Sequence, residues 1–379
     1  MTLFTVGASG CASGGRAEEP SSAQPSQVKP TPHDGLAEIV VAGRPVTGSE
    51  PSGIAKVPYR RTYTDGELYV SVTGYRSMAF GWSGLEAIYR DLRGTVETTI
   101  DPALQRAAAG GLRGREGVAV ALDAETGRIR ALMNTPSYDP SAITGNASAD
   151  VAAWKELASR KDQPMYNRAL RQLIPPGRTF HVVVAAAALE KGLYATVDTR
   201  TRGQDGTGHC ANASIRQALR YTCDEVFAGM AAEVGQEAMR STAEAFGFNE
   251  KELLVPVRAD AGTYDDGGTK ATPLQMARVM AIIANGGKQI GPQLVDKVVH
   301  ADGNVQKPPA YASAGRQVVK QETAAQLRSA LPDRTRGDGW SLAVSRTPNG
   351  RLLALAVHTE GTGDDASAVV DSMAKASSG

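Results

Sequence analysis

The sequence predicts an α+β chain on three observations. Residues 182–189 run from Val182 to Leu189 without a charge and stop at Lys191-Gly192, a helix C-terminal signal. With Ala on several faces, such a run reads as a helix buried all round at the centre of a domain. Residues 118–122 and 129–133 read as short apolar strands joined by the turn Asp123-Ala124-Glu125-Thr126-Gly127. Residues 340–345 and 352–358 read as a hairpin around Asn349-Gly350.

Composition bounds the function. A chain of 379 residues allows two domains and a sizeable core. A formal net charge of +1 argues against a nucleic-acid partner. No stretch of 18 apolar residues is present, so no internal membrane span is expected. Cys11, Cys210 and Cys223 have no metal-ligand spacing, so neither a metal nor a cofactor is predicted.

Residues 1–34 are expected to be a tail outside the fold. Residues 12–32 are rich in Ser, Gly, Pro and Gln, as a flexible tether would be. Ala8-Ser9-Gly10-Cys11 resembles a lipoprotein box with Cys11 as the lipidated residue. A disordered tail with a chance cysteine, or a start codon placed too late, reads the same residues otherwise.

Residues 35–95 form a first, β-rich region. Residues 37–41 are strand-like, with turns at Gly43 and Gly48. Tyr59-Arg60-Arg61-Thr62-Tyr63 precedes an Asp65-Gly66 turn, and Glu67-Leu68-Tyr69-Val70 is read as the return strand. Residues 96–379 form the second region. Asp101 is a plausible N-cap for an amphipathic helix. Residues 150–170 read as helical, 201–212 as a Gly-rich loop, and 215–220, 226–233 and 239–247 as helices. Thr272-Pro273-Leu274-Gln275 reads as a capping box with Pro at the first helical position, and the helix ends at Asn285-Gly286-Gly287. Residues 323–331 and 364–375 read as the last helices.

Several of these segments together resemble the class B penicillin-binding proteins, the peptidoglycan D,D-transpeptidase family. Residues 59–86 are similar to that family's Y-x-R-x-Y, V-T-G-Y and G-L-E series. Residues 118–140 resemble its first two strands, and Ala271-Thr272-Pro273-Leu274-Gln275-Met276-Ala277 matches its A-T-P-L-Q-M-A helix. The resemblance implies a transpeptidase (β-lactamase-like) fold: an antiparallel sheet with helices on both faces, plus a small non-catalytic N-terminal region. It also implies cell-wall work outside the cytoplasmic membrane.

The catalytic positions depart from the family. Pro176-Gly177-Arg178-Thr179-Phe180-His181 stands where the family has P-G-S-T-F-K, with serine as nucleophile and lysine one turn on as base. Arg178 cannot attack a carbonyl, because a guanidinium stays protonated. Thr222-Cys223-Asp224 stands where the family has S-C-N, and Asp224 offers only an acceptor in place of an amide. The K-T-G strand is reduced to Arg334-Thr335-Arg336-Gly337, and its shortening is expected to leave the site open on one side. The resemblance therefore implies a degenerate member whose acyl transfer is lost. Its old cleft, with Arg178, His181, Thr222, Asp224, Arg334 and Arg336 as candidate ligand contacts, would be basic. Stem peptides or other cell-wall synthases would be its partners, with contact to membrane only through an N-terminal anchor. A working enzyme would need Thr179, Thr222 or Cys223 as nucleophile. Cys210 and Cys223 are a possible disulfide pair.

Overall fold

The computed structural model describes residues 35–201, 208–251, 253–265 and 268–378. Cys11, the tail 1–34 and residues 202–207 of the Gly-rich loop lie outside the described residues.

The larger sheet has five antiparallel strands in the order Thr335–Gly337, Trp340–Arg346, Leu352–Thr359, Gly117–Asp123 and Ile129–Thr135. Side-chain alternation gives it two apolar faces. On one, Leu353, Leu355 and Val357 pack with Ala119 and Ala121 against Leu104, Ala108 and Leu112 of helix Pro102–Leu112, and against Val369, Val370 and Met373 of helix Gly363–Ser378. On the other, Val118, Val120, Leu122, Ala354 and Ala356 face helix Pro273–Ala284, and helix His181–Glu190 joins the same core. Helices thus cover both faces.

The central helix is buried all round: each residue from Val182 to Leu189 is buried. The helix Pro273–Ala284 has Thr272 as N-cap, accepting from Gln275 N at 3.2 Å. The capping box is half made, because the Gln275 side chain turns away to donate to Phe246 O at 2.8 Å and to accept from Arg278. Asp101 caps its helix as expected, accepting from Ala103 N and Leu104 N.

The N-terminal region differs from its sequence reading in one element. Residues Gly66–Thr73 form a helix rather than a strand. Tyr69 and Val72 enter the main core and Leu68 packs beside it, so burial at helical spacing overrides the β-propensity of the segment. The hairpin is instead Thr47–Ile54 with Val57–Tyr63. Arg61 and Glu86 form a buried ion pair at 2.7 Å, which joins the two halves of the region's motif series. A second sheet crosses the expected division of the chain. Strand Gly94–Thr98 pairs in parallel with Glu38–Val41 and antiparallel with Val295–His300. The described residues from 35 to 378 accordingly form one compact unit.

Candidate active site

Three segments meet at the candidate site: the 3₁₀ turn Gly177–Phe180 that opens the central helix, residues 222–224, and the edge strand Thr335–Gly337. The Trp340 indole donates to Pro175 O at 2.9 Å and ties the turn to the sheet. Glycine is needed at 337, because a Cβ there would lie 2.8 Å from Arg178 Cβ.

The edge strand is present despite the shortened connection before it. Thr335, Arg336 and Gly337 pair with Leu342, Ser341 and Trp340. The two-residue turn between the strands is Asp338-Gly339, both at positive φ (46° and 80°). Asp-Gly is a strong type I′ hairpin signal, and it was the available cue for this strand.

Arg178 and Asp224 are brought together across 46 residues of sequence. Arg178 Nε lies 3.1 and 3.0 Å from the two Asp224 oxygens, and Nη2 lies 2.9 Å from Oδ2. The hydrogen bond to Asp224 raises the Arg178 pKa above its ordinary value. His181 stacks on Phe227, ring centroids 4.2 Å apart, with Nε2 3.6 Å from Asp224 Oδ1. Burial pushes its pKa down to about 4; Asp224 opposes that shift and Arg178 adds to it. His181 is therefore a neutral imidazole at pH 7, with Asp224 as its polar neighbour.

The alternative nucleophiles are occupied. Thr179 is fully buried and its hydroxyl donates to Pro176 O at 2.6 Å. Thr222 donates to Tyr221 O at 2.8 Å. Cys223 is bonded to Cys210, with Cα atoms 5.6 Å apart.

A cleft of about 590 Å³ adjoins these groups, and Arg178, Thr222, Arg334 and Arg336 line it. The arginines do not make it simply basic. Arg336 Nη1 lies 2.8 Å from Asp364 Oδ1, and Arg334 Nε lies 2.8 Å from Asp371 Oδ1. Each is offset by an aspartate that sequence alone could not place.

Sequence reasoning missed Arg220 and Asp338, which also line the cleft. Arg220 lies over the Tyr221 ring, 5.9 Å from its centroid, and among the described residues no carboxylate pairs with it. Its position two residues before Thr222 was the available signal. Among the described residues no three His, Cys, Asp or Glu side chains converge as metal ligands do. Among them, too, no helix is long and apolar enough to cross a membrane.

Comparison with known proteins gives the family of the fold. The model of the penicillin-binding protein transpeptidase domain matches residues 117–349, and that of the penicillin-binding protein A dimerisation domain matches residues 37–111. The chain is 28% identical over 321 residues to peptidoglycan D,D-transpeptidase PbpA of Mycolicibacterium smegmatis, covering 69% of this chain and 65% of that protein. It is 29% identical over 328 residues to PbpA of Mycobacterium tuberculosis, covering 71% and 66%. The matched part thus spans just under two thirds of either relative. The crystal structure of PBPA from M. tuberculosis superposes with a TM-score of 0.78 at 24% identity, covering 90% of this chain and 99% of that one. Its penicillin G acyl-enzyme complex gives 0.79 at the same identity and coverage. At that identity the likeness speaks to the fold.

Proposed function

Because the chain belongs to the penicillin-binding protein transpeptidase family, we propose that it keeps the family's fold, has lost acyl transfer, and serves cell-wall synthesis by binding. Its place would be the extracytoplasmic face of the cell membrane. Its partners would be stem peptides or the active synthases themselves.

One observation carries this reading. The side chain at the nucleophile position, Arg178, is a cation engaged by Asp224 through both carboxylate oxygens. Loss of the nucleophile in a comparable acyl-transfer site costs on the order of a million-fold in rate. The base position supports it: His181 is neutral, but its polar neighbour is Asp224 rather than a hydroxyl. The third motif is altered as well. The edge strand at the site reads Thr335-Arg336-Gly337, with Thr335 and Gly337 buried and Arg336 exposed, and carries no lysine. A working enzyme would need a free hydroxyl or thiol, and Thr179, Thr222 and Cys223 are each engaged.

The test is labelling of the purified protein with a fluorescent penicillin, followed by denaturing electrophoresis. No covalent band is expected, against a strong band from an active relative run alongside. A band that survives denaturation ends the proposal, and mass spectrometry of the labelled peptide then names the nucleophile.

A further inference from the structure

Arg178 is already holding a carboxylate. Asp224 engages it through Nε and Nη2, the edge of the guanidinium whose geometry fits a planar carboxylate. We propose that Asp224 acts as a built-in ligand mimic, and that a small peptide ending in a free carboxylate binds this cleft by displacing Asp224 from Arg178. The inference rests on the reading of the cleft as a binding site without turnover, and names how it is occupied and by what.

Five features support the exchange. The pair is open to water, with Arg178 46% and Asp224 48% exposed. An ion pair so exposed is weak, so an incoming carboxylate replaces it nearly like for like. Asp224 also has somewhere to stay. It is the first residue of helix Asp224–Val234, where the helix dipole favours a negative charge.

Space and a second cation are in place. The cleft of about 590 Å³ lies within the size range of small-ligand sites. Arg220 lines the same cleft, and among the described residues no carboxylate pairs with it. Arg178 Nη1 makes none of the contacts to Asp224, so it too can reach a ligand oxygen.

The test has an unusual sign. N-acetyl-D-alanyl-D-alanine is titrated into the full chain by calorimetry, beside the same dipeptide capped as a carboxamide. Asp224→Asn removes the internal competitor, so the free acid is expected to bind roughly three- to tenfold more tightly than to the unaltered chain. Arg178→Lys, which keeps the charge and loses the fork, is expected to weaken it by about tenfold or more. The carboxamide is expected to bind at least about tenfold more weakly than the acid. Thermal unfolding of each variant confirms the fold, and Asp224→Ser repeats the first arm with a different side chain. Unchanged or weaker binding in both Asp224 variants, or equal binding of acid and carboxamide, overturns the proposal. A covalent penicillin band would overturn both the inactive reading and this exchange; failure of the exchange alone leaves the inactive reading intact.

Discussion

Thr222 has φ 51°, in the left-handed region, and sits at the C-cap of helix Ile215–Tyr221. A β-branched residue there costs about 1–3 kcal/mol, and the position favours glycine. Glycine adds about 0.5–1 kcal/mol of chain entropy to be lost on folding. The strain is the larger effect, so Thr222→Gly is expected to stabilise the chain by about 1 kcal/mol, read as a rise of a few degrees in unfolding temperature. Two histidines set a response to acid. Burial pushes His181 and His358 down to about 4 from an ordinary 6.5. Between those values the unfolded chain binds protons that the folded chain excludes, so stability falls as pH drops from about 6.5 toward 4. Each contributes at most about 3 kcal/mol. Denaturant midpoints across that window should flatten in His181→Gln and His358→Gln; an unchanged slope would show that neither ring is held neutral. At this scale the sequence was legible where chemistry is local. That Arg178 cannot attack follows from its identity, whereas its partner does not: Asp224 is 46 residues away and only folding joins them.

Elements report on contacts between segments. The edge strand touches the site turn through Gly337, where a Cβ would meet Arg178 Cβ at 2.8 Å. That neighbour is the root of a side chain and cannot swing aside. Gly337→Ala is expected to displace the strand and cost about 1–2 kcal/mol. Faster amide exchange at residues 335–337 should accompany the loss, while a global change without it would place the strain elsewhere. Arg278 holds a second junction. It is fully buried in helix Pro273–Ala284, with Nη1 3.0 Å from Glu250 Oε2 and Nη2 2.9 Å from Tyr311 Oη. Tyr311 in turn donates to Glu250. Arg278→Ala should cost on the order of 3 kcal/mol, because Glu250 is left without its cation. Chemical denaturation measures it, and a loss below about 1 kcal/mol would mean the junction is slack. The apolar runs and Gly-marked turns made most helices and hairpins readable. Helix Gly66–Thr73 was not, since Tyr69-Val70-Ser71-Val72-Thr73 favours a strand locally and burial of Tyr69 and Val72 decided otherwise.

For the molecule as a whole, the expected boundary at residue 95 is bridged by structure. Helix Pro102–Leu112 covers one face of the five-stranded sheet, and strand Gly94–Thr98 is held between Glu38–Val41 and Val295–His300. A single cooperative unfolding transition is therefore expected. A chain beginning at residue 117 would bare the apolar face around Leu355 and Val369 and is expected to aggregate. Two resolved transitions in calorimetry, or a soluble and folded shortened chain, would contradict this. The composition suggested room for two domains but could not reveal the shared sheet, because strand pairing over such separations leaves no local mark.

The placement of Val295–His300 also has a consequence for biogenesis. Strand Gly94–Thr98 emerges from the ribosome roughly two hundred residues before its antiparallel neighbour. At about 5–20 residues per second, that is an interval of about 10–40 s with one side of the strand unclaimed. A chain that folds as it is made passes through this exposed stage; a chain handed over complete can close both sides together.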